Sequence, residues 1–169
     1  MEKVARSFTK ETAATLARNG IDRCTRTREL SGSGRERRGM SSIRKSIEVD
    51  GFSHGANPIP AASRVGNVVM TGGISGQDPV TGSVPDDAKA QVALAFANLE
   101  KILAAAGASL ENVVKLSISV KTFELRDEIN VQWLKAFPDE HSRPARHVTK
   151  YDNFGGTTAL QLEAYAVIV

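Results

Sequence analysis

From Leu160 to Ile168 every second residue is apolar: Leu160, Leu162, Ala164, Ala166 and Ile168. Successive strand side chains point to opposite faces. These five therefore make one apolar face, and Gln161, Glu163, Tyr165, Val167 and Val169 make the other. A strand of that length with one wholly apolar face must be covered by a second layer.

Two segments have the period to supply it. Val92, Phe96, Leu99 and Leu103 follow at intervals of four, three and four, the stripe of an amphipathic helix. Asp86 or Asp87 caps its start, Pro85 precedes it, and Gly107 after three alanines ends it. A second helix is expected from about Glu124 to Phe137, where Leu125, Ile129, Trp133 and Phe137 recur every four residues and Pro138 follows. Each helix carries a single apolar stripe, so both should cover the same sheet face.

Further strands are expected at Lys45–Val49, Ala62–Val65, Val68–Thr71, Val113–Val120 and Arg146–Tyr151. Gly66-Asn67 joins the second and third as a two-residue hairpin, because both residues tolerate positive φ. Gly72-Gly73 follows the third, and Asp78-Pro79-Val80-Thr81-Gly82 reads as a turn. Val113–Val120 should be buried through Val114, Leu116, Ile118 and Val120. The order β-β-β-α-β-α-β-β makes an α+β fold: a mixed β-sheet with two helices packed on one face. The other face, with Tyr165, Val167 and Val169, is left uncovered and should be buried by oligomerisation.

The first 39 residues differ in texture. They hold ten Lys/Arg against five Asp/Glu, whereas residues 40–169 hold twelve against fourteen. The overall net charge of +3 therefore belongs to the extension. The Arg-, Ser- and Gly-rich run ending at Gly39 reads as linker, so 1–39 is expected to be a basic, disordered extension ahead of a domain at 40–169. An over-long start upstream of Met40 fits the same texture. Its five acids argue against a transit peptide, and any nucleic-acid binding would attach to this tail rather than to the acidic body. No apolar run approaches the ~20 residues needed to span a bilayer. The single cysteine, Cys24, excludes an intramolecular disulfide framework and points to a reducing, cytoplasmic setting.

Several familiar sites are set aside. There is no glycine-rich loop with phosphate-binding spacing. Gly51-Phe52-Ser53-His54-Gly55 matches a nucleophile elbow literally, but Pro58 and Pro60 block the helix that must follow one. His54, His141 and His147 lack metal-ligand spacing, so no metal or other cofactor is expected.

Arg143-Pro144-Ala145-Arg146 opens a strand whose neighbours should be largely buried. Arg146 is either a solvated rim residue or a carboxylate clamp, since a guanidinium offers a planar fork for two parallel hydrogen bonds. Arg146, Val148 and Lys150 share one face of their strand, and Gln161 and Glu163 share one of theirs. Where those faces coincide, a polar cluster forms on the uncovered side of the sheet. Gly72-Gly73 either allows close backbone approach there or is a simple bulge.

These residues carry a resemblance. Arg64-Val65-Gly66-Asn67-Val68-Val69-Met70-Thr71-Gly72-Gly73, Asp78-Pro79-Val80-Thr81-Gly82, Ala97-Asn98-Leu99-Glu100-Lys101-Ile102-Leu103-Ala104-Ala105-Ala106-Gly107, Asn112-Val113-Val114-Lys115, Pro144-Ala145-Arg146 and Leu162-Glu163-Ala164-Tyr165-Ala166 occur in order over about Ser46 to Val169. Collinear pieces at these spacings resemble the YjgF/RidA family, also called endoribonuclease L-PSP. The resemblance implies a chorismate-mutase-like fold, a homotrimer and three pockets at the subunit clefts. It also implies hydrolysis of reactive enamines and imines, such as 2-aminoacrylate, to 2-keto acids and ammonia.

By the same resemblance Arg146 binds the substrate carboxylate, Asn130 matches the helix asparagine, and Gly73 is the retained pocket glycine. Ile59 stands where the family has its pocket tyrosine, and Gly72 where it has serine. Val148 replaces a cysteine or threonine, so only its backbone can serve. Gln161 stands where the deaminases have the acid that positions water. Glutamine can orient water but cannot hold a proton as a base. Glu163, about 7 Å along the strand, is either a substitute acid or a structural partner. The sequence thus implies a RidA-like enamine/imine deaminase with a non-standard pocket, acting on a small carboxylate or imino acid substrate. A non-catalytic, small-carboxylate-binding sensor trimer is the alternative, and an L-PSP-type ribonuclease is a weaker one.

Overall fold

The computed structural model describes residues 43–169. The extension and the boundary at Met40 lie outside the described residues. Seven strands form one sheet: β1 (Arg44–Ile47), β2 (Ala62–Val65), β3 (Val68–Thr71), β4 (Ile74–Ser75), β5 (Val113–Val120), β6 (Ala145–Lys150) and β7 (Leu160–Val167). Their order is β1-β2-β3-β7-β5-β6, with β4 also pairing with β7. Only β5 and β6 run parallel, so the sheet is mixed. The helices α1 (Ala88–Ala105) and α2 (Arg126–Ala136) cover one face.

The local reasons are those of the sequence. Gly66, at φ +59°, turns the β2–β3 hairpin so that Val65 pairs with Val68. Asp87 caps α1, its carboxylate accepting the Lys89 N–H at 2.9 Å. At the far end, Arg64 Nη1 donates to the Ala106 carbonyl at 2.9 Å, placing a cation on the helix C-terminus. Val92, Phe96, Leu99 and Leu103 are buried, as are Leu125, Ile129, Trp133 and Phe137. They meet the inward row Leu160, Leu162, Ala164 and Ala166 of β7.

Two buried polar side chains tie α1 to the loops around it. Gln91 donates to the carbonyls of Pro85 and Thr157 at 2.7 and 2.9 Å and accepts the Ala159 N–H at 2.7 Å. Asn98 donates to the carbonyls of Ser75 and Gln77 at 3.1 and 2.8 Å. Both therefore satisfy backbone groups that α1 shuts off from water.

Three local expectations are corrected. β1 stops at Ile47, before the turn that brings Val49 opposite Phe52. Val114 is not in the core but 57% exposed, while Val113 is buried. The pairing of β5 with β7 shifts register between Val113 and Lys115, and a one-residue slip sends a side chain to the opposite face. The short β4 was not expected from the sequence. Between the pairs Met70–Tyr165 and Ile74–Leu162, the β3–β4 side carries one residue more than β7, a bulge at Thr71-Gly72-Gly73. Thr71 Oγ1 accepts the Ala164 N–H at 3.0 Å there, filling the interrupted ladder.

The face without helices carries Val68, Met70 and Tyr165, of which Met70 is 50% and Tyr165 38% exposed. It is the uncovered face anticipated from the alternation in β7.

Candidate active site

β6 is an edge strand, so the neighbours of Arg146 are not buried as expected. Ala145, His147, Thr149 and Lys150 are exposed because nothing pairs with that edge among the described residues. Arg143, at the turn before the strand, donates to the carbonyls of Phe137 and Pro138 at 3.0 and 3.3 Å and so closes the end of α2.

Register decides which face each candidate occupies. Arg146 and Val148 lie opposite Leu116 and Ile118 of β5, whose side chains enter the helix-covered core. Gln161 and Glu163 lie opposite Ser119 and Ser117, on the uncovered face. The expected polar cluster joining Arg146 to Gln161 is therefore not formed within one chain. The two residues stand on opposite faces, two strands or roughly 10 Å apart across the sheet.

The structure instead gathers the candidates into two groups. In the first, α2 positions Arg146. Its Nη2 donates to Asn130 Oδ1 at 3.0 Å, and its guanidinium lies 4.8 Å from the centre of the Trp133 ring. Val120, Thr122, Phe123, Arg126, Ile129, Asn130, Arg146 and Val148 enclose a pocket of about 260 Å³. The guanidinium lies over the indole ring and is partly buried there. That partial burial, and then the like charge of Arg126, pull Arg146 below the ordinary guanidinium value. The fork keeps donors free for an anion, which suits a carboxylate.

The second group surrounds His54. Its Nδ1 is 3.1 Å from the Ile59 carbonyl oxygen and its Nε2 is 3.0 Å from that of Gly73. The ring thus links the exposed Ile59 loop to the bulge, and a Cβ on Gly72 would meet it at 3.0 Å. Gln161 lies over Gly73, where a Cβ would stand 3.0 Å from its Oε1. Ile59, Gly72, Gly73 and Gln161 are therefore neighbours, with the Gln161 amide packed directly over the Gly73 backbone. The segment from Gly51 to Gly55 holds turns and no strand-to-helix elbow.

His54, Trp133, Phe123 and Arg126 stand beside the candidate residues without being marked as such by the sequence. The four-residue stripe marks Trp133 only as core. Its spacing of three from Asn130 and seven from Arg126 puts all three on one stripe of α2, a signal present in the sequence. Nothing in the sequence marks His54 as the link between the loop and the bulge.

The sequence model described as Endoribonuclease L-PSP matches residues 54–168. A RutC family protein of Pasteurella multocida is 29% identical over 125 residues, 73% of this chain and 97% of that one. The 2-iminobutanoate/2-iminopropanoate deaminase of Escherichia coli shows the same identity and coverage. Among solved structures, RidA of the Antarctic bacterium Psychrobacter superposes with a TM-score of 0.68 at 27% identity, covering 73% of this chain and 99% of that one. E. coli TdcF with bound serine gives 0.67 at 25% identity, covering 74% and 99%. In sequence and in the arrangement of sheet and helices, the chain belongs to the endoribonuclease L-PSP, or YjgF/RidA, family.

Proposed function

We propose that the chain is a RidA-type enamine/imine deaminase whose site is completed between copies of the chain in a trimer. The observation that carries the reading is the Arg146 fork, fixed by Asn130 and Trp133 at the wall of a small pocket. Support comes from the E. coli relative named as a 2-iminobutanoate/2-iminopropanoate deaminase. The Arg146 group and the Gly73–Gln161 group occupy opposite faces of one sheet, so a second copy has to bring the missing half. The exposed apolar patch of Val68, Met70 and Tyr165 gives such a contact its driving force.

In this mechanism Arg146 holds the α-carboxylate of a 2-imino acid. The backbone N–H groups of Val148 and Gly73 frame the substrate, and Ile59 and Gly72 shape its surroundings. Gln161 Oε1 accepts a hydrogen from a water and aims its oxygen at the imine carbon. The water oxygen bonds to that carbon as the C=N electron pair moves to nitrogen. Water's proton passes to the nitrogen through solvent, because an amide cannot carry it. Collapse of the carbinolamine then forms C=O and releases ammonia, giving the 2-keto acid. Positioning accounts for the acceleration, since the uncatalysed reaction already proceeds in water.

One observation favours a second reading, a carboxylate sensor without turnover: the side chain over Gly73 is an amide and not an acid. The test is ammonia and 2-oxobutanoate release from 2-iminobutanoate generated in solution. The deaminase reading requires release above the uncatalysed rate that disappears in Arg146→Ala. Binding of 2-oxobutanoate with no such acceleration assigns the sensor. A monodisperse monomer in sedimentation would remove the shared site.

A further inference from the structure

The pocket at Arg146 has a second cation that the reading above does not use. Arg126 lines the same cavity, and no carboxylate does. Among the described residues Arg126 has no ion pair. Arg126 precedes Asn130 by four residues on α2, so their Cβ atoms are about 5–6 Å apart on one helix face. Asn130 is the residue that holds Arg146. The two arginines therefore line one small cavity together, near enough for the charge of Arg126 to act on Arg146, with Ile129, Val148 and Val120 among its apolar wall. Two unneutralised like charges at one cavity oppose each other, and a ligand carrying two negative groups relieves both.

Resting on the deaminase reading, we propose that this site selects 2-imino dicarboxylic acids. Arg146 takes the α-carboxylate and Arg126 the distal one, across a spacer of one or two methylene groups. The balance is unchanged: the imino dicarboxylate and water give the 2-oxo dicarboxylate and ammonia. Gln161, brought by the neighbouring copy, is neutral and adds no repulsion to a second carboxylate.

The experiment is calorimetric titration of the full chain with 2-oxoglutarate and with 2-oxobutanoate at low ionic strength. The wild type should bind 2-oxoglutarate at least tenfold more tightly. Arg126→Gln should weaken 2-oxoglutarate by about that factor and 2-oxobutanoate several-fold less, a selective loss that a merely structural role for Arg126 would not give. Arg126→Lys should recover part of the preference, because the charge remains and the fork is lost. Equal wild-type affinity for the two acids, or parallel weakening of both in Arg126→Gln, overturns the inference while leaving monocarboxylate binding at Arg146 standing. Failure of the wild type to bind either acid removes the Arg146 clamp, and with it the inference.

Discussion

The Arg146 guanidinium lies 4.8 Å from the centre of the Trp133 ring, a contact between an edge strand and the helix beside it. An arginine on an exposed strand edge ordinarily samples many rotamers, and fixing it costs side-chain entropy. Here the indole face and the Asn130 oxygen hold the planar fork on two sides before any ligand arrives. Preorganisation of this kind supports the proposed carboxylate clamp.

Arg146→Ala should therefore abolish measurable binding of 2-oxobutanoate, and Arg146→Lys should weaken it sharply. Lysine keeps the charge but loses the planar fork that can bond a carboxylate through two parallel hydrogen bonds. The loss in Arg146→Ala should be about 1.5–3 kcal/mol, the range of a hydrogen bond to a charged group. Calorimetry measures it, and thermal stability should change little because the residue lies on an exposed edge. Unchanged affinity in Arg146→Ala would discard the clamp.

A carboxylate at position 161 tests how the water is handled. Gln161→Glu places a proton-accepting oxygen over Gly73, where the glycine leaves room for it. Imine hydrolysis should rise, by up to about 10²-fold if general-base catalysis operates. Affinity for 2-oxobutanoate should fall slightly through repulsion between carboxylates. The steady-state rate of ammonia release checks this, and a rate equal to wild type would mean that Gln161 does not face the reacting water.

The fold was legible wherever periodicity had a single solution. The stripes of α1 and α2, the Gly66-Asn67 hairpin and the inward row of β7 were all readable from spacing. Failures came where one residue alters parity. The bulge at Thr71-Gly72-Gly73 created β4, and the shift after Val113 turned Val114 outward. The site was harder to read for the same reason. Alternation against the apolar row of β7 puts Gln161 on the uncovered face, but on β6 it says only that Arg146 and Val148 share a face and not which, so Arg146 could be placed only by its register with β5. His54 was hidden because its partners are backbone carbonyls, which leave no trace in residue identity.

The turn at Asp78 should give the protein an acid-sensitive component. Its carboxylate accepts the N–H groups of Val80 and Thr81 at 2.7 and 3.1 Å. Those bonds, the one from Thr81 foremost, hold its carboxyl below the ordinary 3.8. A depressed carboxyl stabilises the folded state fully above its unfolded value and ceases to do so as pH falls through its folded value. Asp78→Asn should thus be less stable than wild type at neutral pH. The difference should shrink below about pH 4. Urea midpoints followed across that range measure it, and a constant difference would show that the charge is irrelevant to the turn.

The final prediction concerns Gln91, which is fully buried and serves three backbone groups: two carbonyls and the Ala159 N–H that leads into β7. Leucine would occupy nearly the same volume, so Gln91→Leu opens little cavity and tests the hydrogen bonds themselves. Each buried group left without a partner costs roughly 1–3 kcal/mol, so the substitution should destabilise by on the order of 3–5 kcal/mol. Gln91→Glu should fare no better: it keeps an acceptor for Ala159 but turns carboxyl oxygen toward the carbonyls of Pro85 and Thr157. Gln91 is remote in role from Arg146, so whatever fraction of Gln91→Leu remains folded should bind 2-oxobutanoate normally. Chemical denaturation of both variants decides the matter. A loss under about 1 kcal/mol in Gln91→Leu would mean that water reaches those groups and that α1 does not seal them.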